Sequence, residues 1–178
     1  MTHARGFTLI EMLITAAIAA LLFGIALPAL SGGLEAARAC DARSELLASL
    51  TTASQRAALT GQRSVLCPST DGSQCSVGDD WSAGWIVFSD PNANRSHDPG
   101  ETLLHQRGPL AGKVHLRSTV GRTRIVFQGN GGNVGSNVSF TLCDGRGPAK
   151  AVSLVISNTG RLREGVPTEA AIAATCAG

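Results

Sequence analysis

The 178-residue sequence predicts an α+β fold, in which one long amino-terminal helix is followed by a head of antiparallel β-sheets. Two observations favour this fold. Apolar residues first form an almost continuous run and then recur every three or four positions as far as Leu59, as they do on a helix. Beyond Gly61 the apolar period changes to two, and clusters of Gly, Pro, Asn and Asp divide the chain into short segments typical of strands.

The first part of the helix is apolar enough to lie in a membrane. Residues 7–30 read FTLIEMLITAAIAALLFGIALPAL, about the ~20 residues that a helix needs to cross the hydrocarbon core. A cleaved signal peptide is the alternative, because residues 29–31 offer an acceptable cleavage site. The length of the run and the carboxylate of Glu11 within it favour a retained helix. Gly24 and Pro28 predict a kink or a melted turn in it.

The second part of the helix is amphipathic. After residues 31–33, apolar residues resume helical spacing at Leu46, Leu50, Ala53 and Ala57, and the opposite face is charged. We expect residues 31–60 to continue the helix and residues 61–178 to form the head. Eight strands are predicted there, over residues 63–67, 85–89, 102–106, 113–117, 122–128, 137–143, 151–157 and 161–163.

The cysteine spacing favours disulfides in an oxidising compartment. None of the five cysteines forms a C-x-x-C pair, and the four histidines supply no zinc-ligand spacing. Cys67 and Cys75 bracket a turn-rich loop, and a Cys143–Cys176 bond would tie the last residues to a strand. These four cysteines allow three pairings, of which this one is favoured, and Cys40 is then the unpaired thiol.

The segment GFTLIEML at residues 6–13 resembles the prepilin leader of type IV pilins and type II secretion pseudopilins. The resemblance implies that residues 1–6 are a leader, which a prepilin peptidase removes by cutting after Gly6. Phe7 would then be the methylated amino terminus, and residues 7–30 would form the transmembrane and fibre-core helix. Glu11 would pair with the terminal amine of a neighbouring subunit during assembly.

The segments LCPSTDGSQC and WSAGWIVFSDPNANRSHDPGETLL resemble the head of the FimT/GspH family of minor pilins and pseudopilins. With the leader, this resemblance covers most of the chain. It implies a pilin-like fold with one span in the inner membrane and the head in the periplasm. The subunit would later join other major and minor pilins in a fibre at the cell surface.

The sequence indicates neither an enzyme nor a cofactor. Residues 129–135 are glycine-rich but lack the spacing of a phosphate-binding loop, so a hairpin loop is predicted. Oxygen-bearing residues fall at the ligand positions of a calcium loop, but its turn-making Gly is replaced by Arg95. We therefore favour a solvated connection between strands over calcium and predict no metal site. The calcium-loop positions are Asp90, Asn92, Asn94, Ser96, Asp98 and Glu101.

Charge is distributed unevenly along the chain. The net charge is only +2, yet residues 105–163 hold nine basic residues and one acid, whereas residues 64–104 hold one basic residue and six acids. A basic block of this kind hints at a polyanionic partner. Arg117, Arg122 and Arg124 alternate with apolar residues across two predicted strands, so their side chains could share a sheet face.

The basic block ends in the sequence GRLR at residues 160–163. In a strand, Arg161 and Arg163 would point the same way about 6.6 Å apart, close to the ~7 Å between successive phosphates. GRLR matches the GRxR motif that the resemblance associates with DNA binding by FimT in natural transformation. The candidate DNA-binding residues are Arg161, Arg163, Lys113, Arg117, Arg122, Arg124, Arg146 and Lys150.

The partner predicted from these residues is double-stranded DNA, contacted through its backbone. The chain has no Tyr and few aromatic residues near the arginines, so base stacking is not offered. Two alternatives remain open. The arginines could form a solvated face or pair with the acidic block of a neighbouring pilin, and the chain could be a structural minor pseudopilin of a type II secretion system that contacts tip subunits or cargo.

Overall fold

The computed structural model of the chain describes residues 8–135 and 137–177. It contains two compact units, Met1–Leu34 and Glu35–Gly178. Helix α1 (Leu9–Thr60) contributes its first part to one unit and its remainder to the other.

The first unit is an apolar helix with a capped amino end. Thr8 donates its backbone N–H to Oε2 of Glu11 at 2.9 Å, and the Glu11 N–H returns a 3.3 Å hydrogen bond to the Thr8 hydroxyl, which is a capping box. The large apolar side chains described here are exposed. By length and composition, α1 is the one helix among the described residues that could cross a membrane.

The backbone of α1 is helical through Gly24 and Pro28, so the melted turn expected there is absent. Proline removes one backbone donor, and the flanking turns are rich in Ala and Leu, which are good helix formers. The helix therefore continues past a residue that was expected to interrupt it.

The second unit contains two four-stranded antiparallel sheets. The first comprises β1 (Arg63–Pro68), β2 (Trp85–Asp90), β3 (Leu103–Arg107) and β5 (Ile125–Phe127), in the order β3-β2-β1-β5. The second comprises β4 (His115–Ser118), β6 (Val138–Cys143), β7 (Val152–Ile156) and β8 (Leu162–Gly165), in the order β4-β6-β7-β8. A long helix followed by antiparallel sheets confirms the predicted fold class.

Most predicted strands lie within two residues of the observed ones, but the strand predicted over residues 122–128 is shorter. Only Ile125–Phe127 is extended and paired. The preceding residues form a turn, in which the Arg122 N–H donates to the Thr119 carbonyl at 2.9 Å and the Ser118 hydroxyl to the Arg122 carbonyl at 2.7 Å.

Two short helices were not predicted from the sequence. One turn of 3₁₀-helix spans Pro148–Lys150, and helix α2 spans Glu169–Cys176. The Thr168 hydroxyl caps α2 by accepting the Ala171 N–H at 3.3 Å. The signal was present in the sequence, because a Thr cap is followed there by a run of alanines.

The core of the head lies between α1 and the inner faces of both sheets. From α1 it includes Leu46, Leu50 and several alanines, and from the sheets it includes Trp85 and Phe140. A smaller cluster covers the other face of the first sheet, around Val65 and Phe88. Each sheet therefore buries its inner face on the same helix.

The disulfides follow the pairing that the sequence favours. Cys67 bonds Cys75 across an eight-residue separation, and Cys143 bonds Cys176, which ties α2 to β6. Cys40 is a free thiol and is exposed on α1.

Replacing Ser49 by Ala should destabilise the head. The buried indole N–H of Trp85 donates to Ser49 Oγ at 2.8 Å, so the substitution leaves a buried donor without its acceptor. We expect a loss of about 1–2 kcal/mol in the free energy of unfolding. Chemical denaturation in detergent, followed by tryptophan fluorescence, would measure it.

The matched control is Thr51→Ala on the same helix. Thr51 is exposed and its hydroxyl bonds only the Leu47 carbonyl of its own helix at 2.8 Å, so the change should stay within about 0.5 kcal/mol. Equal losses in the two variants would contradict the role given to Ser49.

Candidate nucleic-acid interface

The two arginines of the GRLR segment lie at an edge of the second sheet. Strand β8 is an edge strand, and Arg163 pairs with Val155 while Leu162 pairs with the buried Ile156. Arg163 is therefore on the outer face of the sheet and Leu162 on the inner face. Arg161 precedes β8, and its carbonyl accepts the Ser157 N–H at 2.9 Å, which continues the antiparallel pairing by one residue.

Arg161 and Arg163 are exposed, and neither makes an ion pair with a residue that the structure describes. Glu164, the acid next to them, forms a salt bridge with Arg43 of α1. The negative charge closest in sequence to the two arginines is thus already compensated by another residue.

Arg122 and Arg124 occupy the connection between β4 and β5, not a strand. The expectation that they share a sheet face with Arg117 is wrong, because Arg117 belongs to β4 of the second sheet and the connection leads into the first. Arg124 donates its Nε–H to the carbonyl of Arg95 at 2.8 Å, so Arg124 lies beside a residue that the sequence did not suggest.

The glycine-rich segment over residues 129–135 lies between these loop arginines and the β7–β8 turn. On one side, the Asn133 N–H donates to the Asn158 carbonyl at 2.9 Å. On the other side, a Cβ on Gly135 would come within 2.8 Å of Nη1 of Arg122. The segment therefore touches the turn that precedes Arg161 and also the guanidinium of Arg122.

Ion pairs between described residues engage Arg107, Arg117 and Arg146 of the basic block. Arg117 lies 3.4 Å from a carboxylate oxygen of Asp79 and 3.4 Å from one of Asp80. Arg107 pairs with Asp41 at 2.6 Å, and Arg146 with Asp144 at 2.7 Å. Most of these acids lie outside the block, so the charge available to a partner is smaller than the sequence count suggests.

Lys113, Arg146 and Lys150 lie toward the other end of the head. Glu35 accepts the N–H groups of Lys113 and Gly145 at 3.3 Å, and Arg146 and Lys150 line a cavity with α1 residues 36–47. The glycine-rich segment instead contacts Ser54, about 28 Å further along the helix at 1.5 Å per residue. Lys113, Arg146 and Lys150 therefore lie apart from Arg122, which the glycine-rich segment contacts.

The oxygen ligands of the suggested calcium loop are engaged by N–H donors. The buried carboxylate of Asp90 accepts the backbone N–H groups of Asn94 and Arg95, each at 3.1 Å. Asn92 and Asn94 donate their side-chain amides to Asp98 and thereby lower the pKa of its carboxyl. In the part of the chain that the structure describes, no three His, Cys, Asp or Glu residues are grouped to hold a metal.

The predicted processing residues Gly6 and Phe7 lie outside the described residues. Glu11 is exposed and, within its own chain, serves the helix cap through Oε2.

The comparisons with known families and sequences agree with this architecture. Residues 42–160 match the family described as type II transport protein GspH, and residues 1–27 match the prokaryotic N-terminal methylation motif. The pilin-like protein PilA1 of Thermus thermophilus is 30% identical over 165 residues, covering 89% of this chain and 97% of that protein.

Two solved structures show the same fold. The type IV minor pilin FimU of Pseudomonas aeruginosa matches with a TM-score of 0.57 at 19% identity, covering 75% of this chain and 89% of FimU. The minor pseudopilin EpsH of the Vibrio cholerae type 2 secretion system matches with a TM-score of 0.51 at 14% identity, covering 74% of this chain and 99% of EpsH.

Replacing Arg146 by Gln should destabilise the head in a pH-dependent way. Hydrogen bonds from the guanidinium hold the pKa of the buried Asp144 carboxyl below its ordinary value, although burial opposes this. A lowered folded-state pKa stabilises the protein above the ordinary pKa of about 3.9, and the effect is lost as pH falls through the folded-state value. We expect a loss of about 1–2 kcal/mol at pH 7.

Denaturant unfolding of the unaltered chain and of Arg146→Gln between pH 7 and pH 2.5 would measure the difference in their free energies of unfolding. It should shrink below about pH 4, where the carboxyl becomes protonated in both. The control is Lys150→Gln, which removes a positive charge from the same cavity without breaking an ion pair. A loss in Arg146→Gln that stays constant across this range would rule out the Asp144 pair as its cause.

Proposed function

We propose that this chain, which belongs to the family of type II transport protein GspH, is a minor type IV pilin whose head binds duplex DNA for uptake during natural transformation. Binding would use the DNA backbone and would be independent of base sequence. The observation that carries the proposal is the pair of exposed arginines, Arg161 and Arg163, beside an acid that is already paired with Arg43.

The proposed path to the fibre begins at the methylation motif. A prepilin peptidase would remove residues 1–6 and methylate Phe7, and residues 7–30 would hold the subunit in the inner membrane with its head in the periplasm. Residues 31–60 would continue the helix toward the head, residues 61–178. The exposed carboxylate of Glu11 would meet the terminal amine of a neighbouring pilin when the subunit joins a fibre at the cell surface.

The chemistry of the arginine pair suits phosphate. A guanidinium presents a planar fork of N–H donors that matches the oxygens of a phosphate, and it keeps its charge at every physiological pH. Two guanidinium groups on residues i and i+2 of an extended chain lie about as far apart as successive phosphates of a nucleic-acid strand. Binding of this kind releases counterions and weakens steeply as salt rises.

The aromatic residues support backbone contact over base contact. Trp81 and Trp85 are fully buried in the core, and the chain has no Tyr. Stacking on exposed aromatic rings is the usual way in which proteins hold unpaired bases. A duplex with its bases stacked inside is therefore the nucleic acid that this surface suits.

A second function is favoured by the family itself. As a structural minor pseudopilin of a type II secretion system, the chain would use its head to contact other tip subunits or cargo. The fold shared with the minor pseudopilin EpsH supports this alternative. Binding to DNA separates the two functions.

Replacing Arg161 and Arg163 together by Gln should weaken DNA binding. We expect the full chain in non-ionic detergent to retard a duplex of random sequence at low salt, and the variant to bind about tenfold more weakly. The slope of log K against log salt should also become less steep by roughly 2, because two phosphate contacts are lost. Gel shift at a series of salt concentrations would measure both effects.

The matched control is the double variant Arg117→Gln/Arg146→Gln. This variant also removes two positive charges, but it removes them from guanidinium groups that already pair with carboxylates. DNA affinity should change little in this control, with folding checked by circular dichroism. Equal weakening in both variants would mean that net charge, and not the edge of β8, governs binding. Absence of any shift at low salt would favour the pseudopilin function.

A further inference from the structure

We infer that Arg95, Arg122 and Arg124 form a second site, separate from the arginine pair of β8, which binds a tetrahedral oxyanion of the phosphate class. This inference rests on the proposed function in one respect only, since the backbone of DNA is one source of such a phosphate. Free phosphate is the other source.

The site is a cavity of about 380 Å³ between the β2–β3 and β4–β5 connections. Three arginines line it, together with neighbouring residues that carry hydroxyl or amide groups. Among its described lining residues there is neither a carboxylate nor an aromatic ring, so they supply no negative charge to a metal cation and no stacking surface to a base. The lining residues are Asn94, Arg95, Ser96, Gly121, Arg122, Thr123 and Arg124.

Arg95 is held at this cavity in an uncommon backbone conformation. Its φ is +63°, in the left-handed region that a residue with a long side chain rarely adopts. The conformation is maintained by the buried carboxylate of Asp90, which accepts the N–H groups of Asn94 and Arg95. A strained residue that a buried charge keeps in place is a feature that clusters at binding sites.

Arg124 and Arg122 are also fixed by their surroundings. Both are half-buried, and the bond from Arg124 Nε to the Arg95 carbonyl joins the two loops. The backbone of Arg122 is held by Ser118 and Thr119. Gly135 packs so closely on the Arg122 guanidinium that a Cβ there would clash at 2.8 Å. The cavity is thus organised before any ligand arrives.

Electrostatics determine which ligand this arrangement suits. Three arginines line this cavity, and none of its described lining residues is an acid, so an anion suits the cavity better than a cation. Guanidinium forks and hydroxyl donors are the groups that phosphate oxygens accept hydrogen bonds from. A phosphate therefore fits both the charge and the donor pattern.

The glycine-rich segment connects this site with the arginine pair of β8. The glycine-rich segment contacts Arg122 through Gly135 and the β7–β8 turn through Asn133. The two arginine sets consequently flank one loop. A duplex that contacts Arg161 and Arg163 could place a further phosphate in the cavity on the other side of that loop.

Thermal unfolding of the full chain in non-ionic detergent tests the site, with sodium phosphate compared with sodium chloride at equal ionic strength. At ten times its Kd, phosphate should raise the Tm by about 3–6 °C. The rise should fall to the small value of a non-specific salt effect in Arg95→Gln and in Arg122→Gln, and should persist in Arg161→Gln/Arg163→Gln. If either single variant fails to fold, the other still tests the site.

An undiminished rise in both Arg95→Gln and Arg122→Gln would overturn the inference, and so would the absence of any rise in the unaltered chain. Neither result would affect the proposed function, which the β8 variant tests by gel shift. The source of the phosphate follows from gel shifts of the same single variants in chloride. Weaker DNA binding by them identifies the DNA backbone, whereas unchanged DNA binding with a lost Tm response identifies free phosphate.

Discussion

The apolar stripe along the second part of α1 is the surface on which the rest of the head depends. The stripe buries four alanines in one cluster with the larger side chains of both sheets, namely Ala39, Ala42, Ala53 and Ala57. Most of the fully buried side chains belong to this one cluster. Two sheets of four short strands gain a common core because they share one helix.

This shared core also decides which side chains remain free for a partner. Alternation along β8 places Leu162, which stays partly accessible to solvent, on the inner face of the sheet and Arg163 on the outer face. The salt bridge between Arg43 and Glu164 then joins the edge strand to the helix and occupies the one acid of the segment. The same contacts that hold β8 in place leave its arginines available.

The sequence allowed the fold to be predicted well, because each prediction depended on local patterns. Periodicity located the helix and eight strands, and turn residues indicated which cysteines could meet. Ion pairs could not be predicted in this way, since Arg117 and Asp79 are 38 residues apart and Arg107 and Asp41 are 66 apart. The sequence does not identify Arg95 as a binding residue, because it is the one basic residue of an acidic block and local pattern marks it only as a departure from a calcium loop.

Whether an arginine already forms an ion pair, more than the number of basic residues, therefore distinguishes the possible functions of this fold. Minor pilins and pseudopilins share the architecture at 14–20% identity, so the architecture alone does not select a partner. A guanidinium that already holds a carboxylate must lose that contact before it can bind phosphate, whereas a solvated one only exchanges water and counterions. For this reason a polyanion would bind Arg161 and Arg163 more readily than the paired Arg107, Arg117 and Arg146, although all five contribute equally to the net charge.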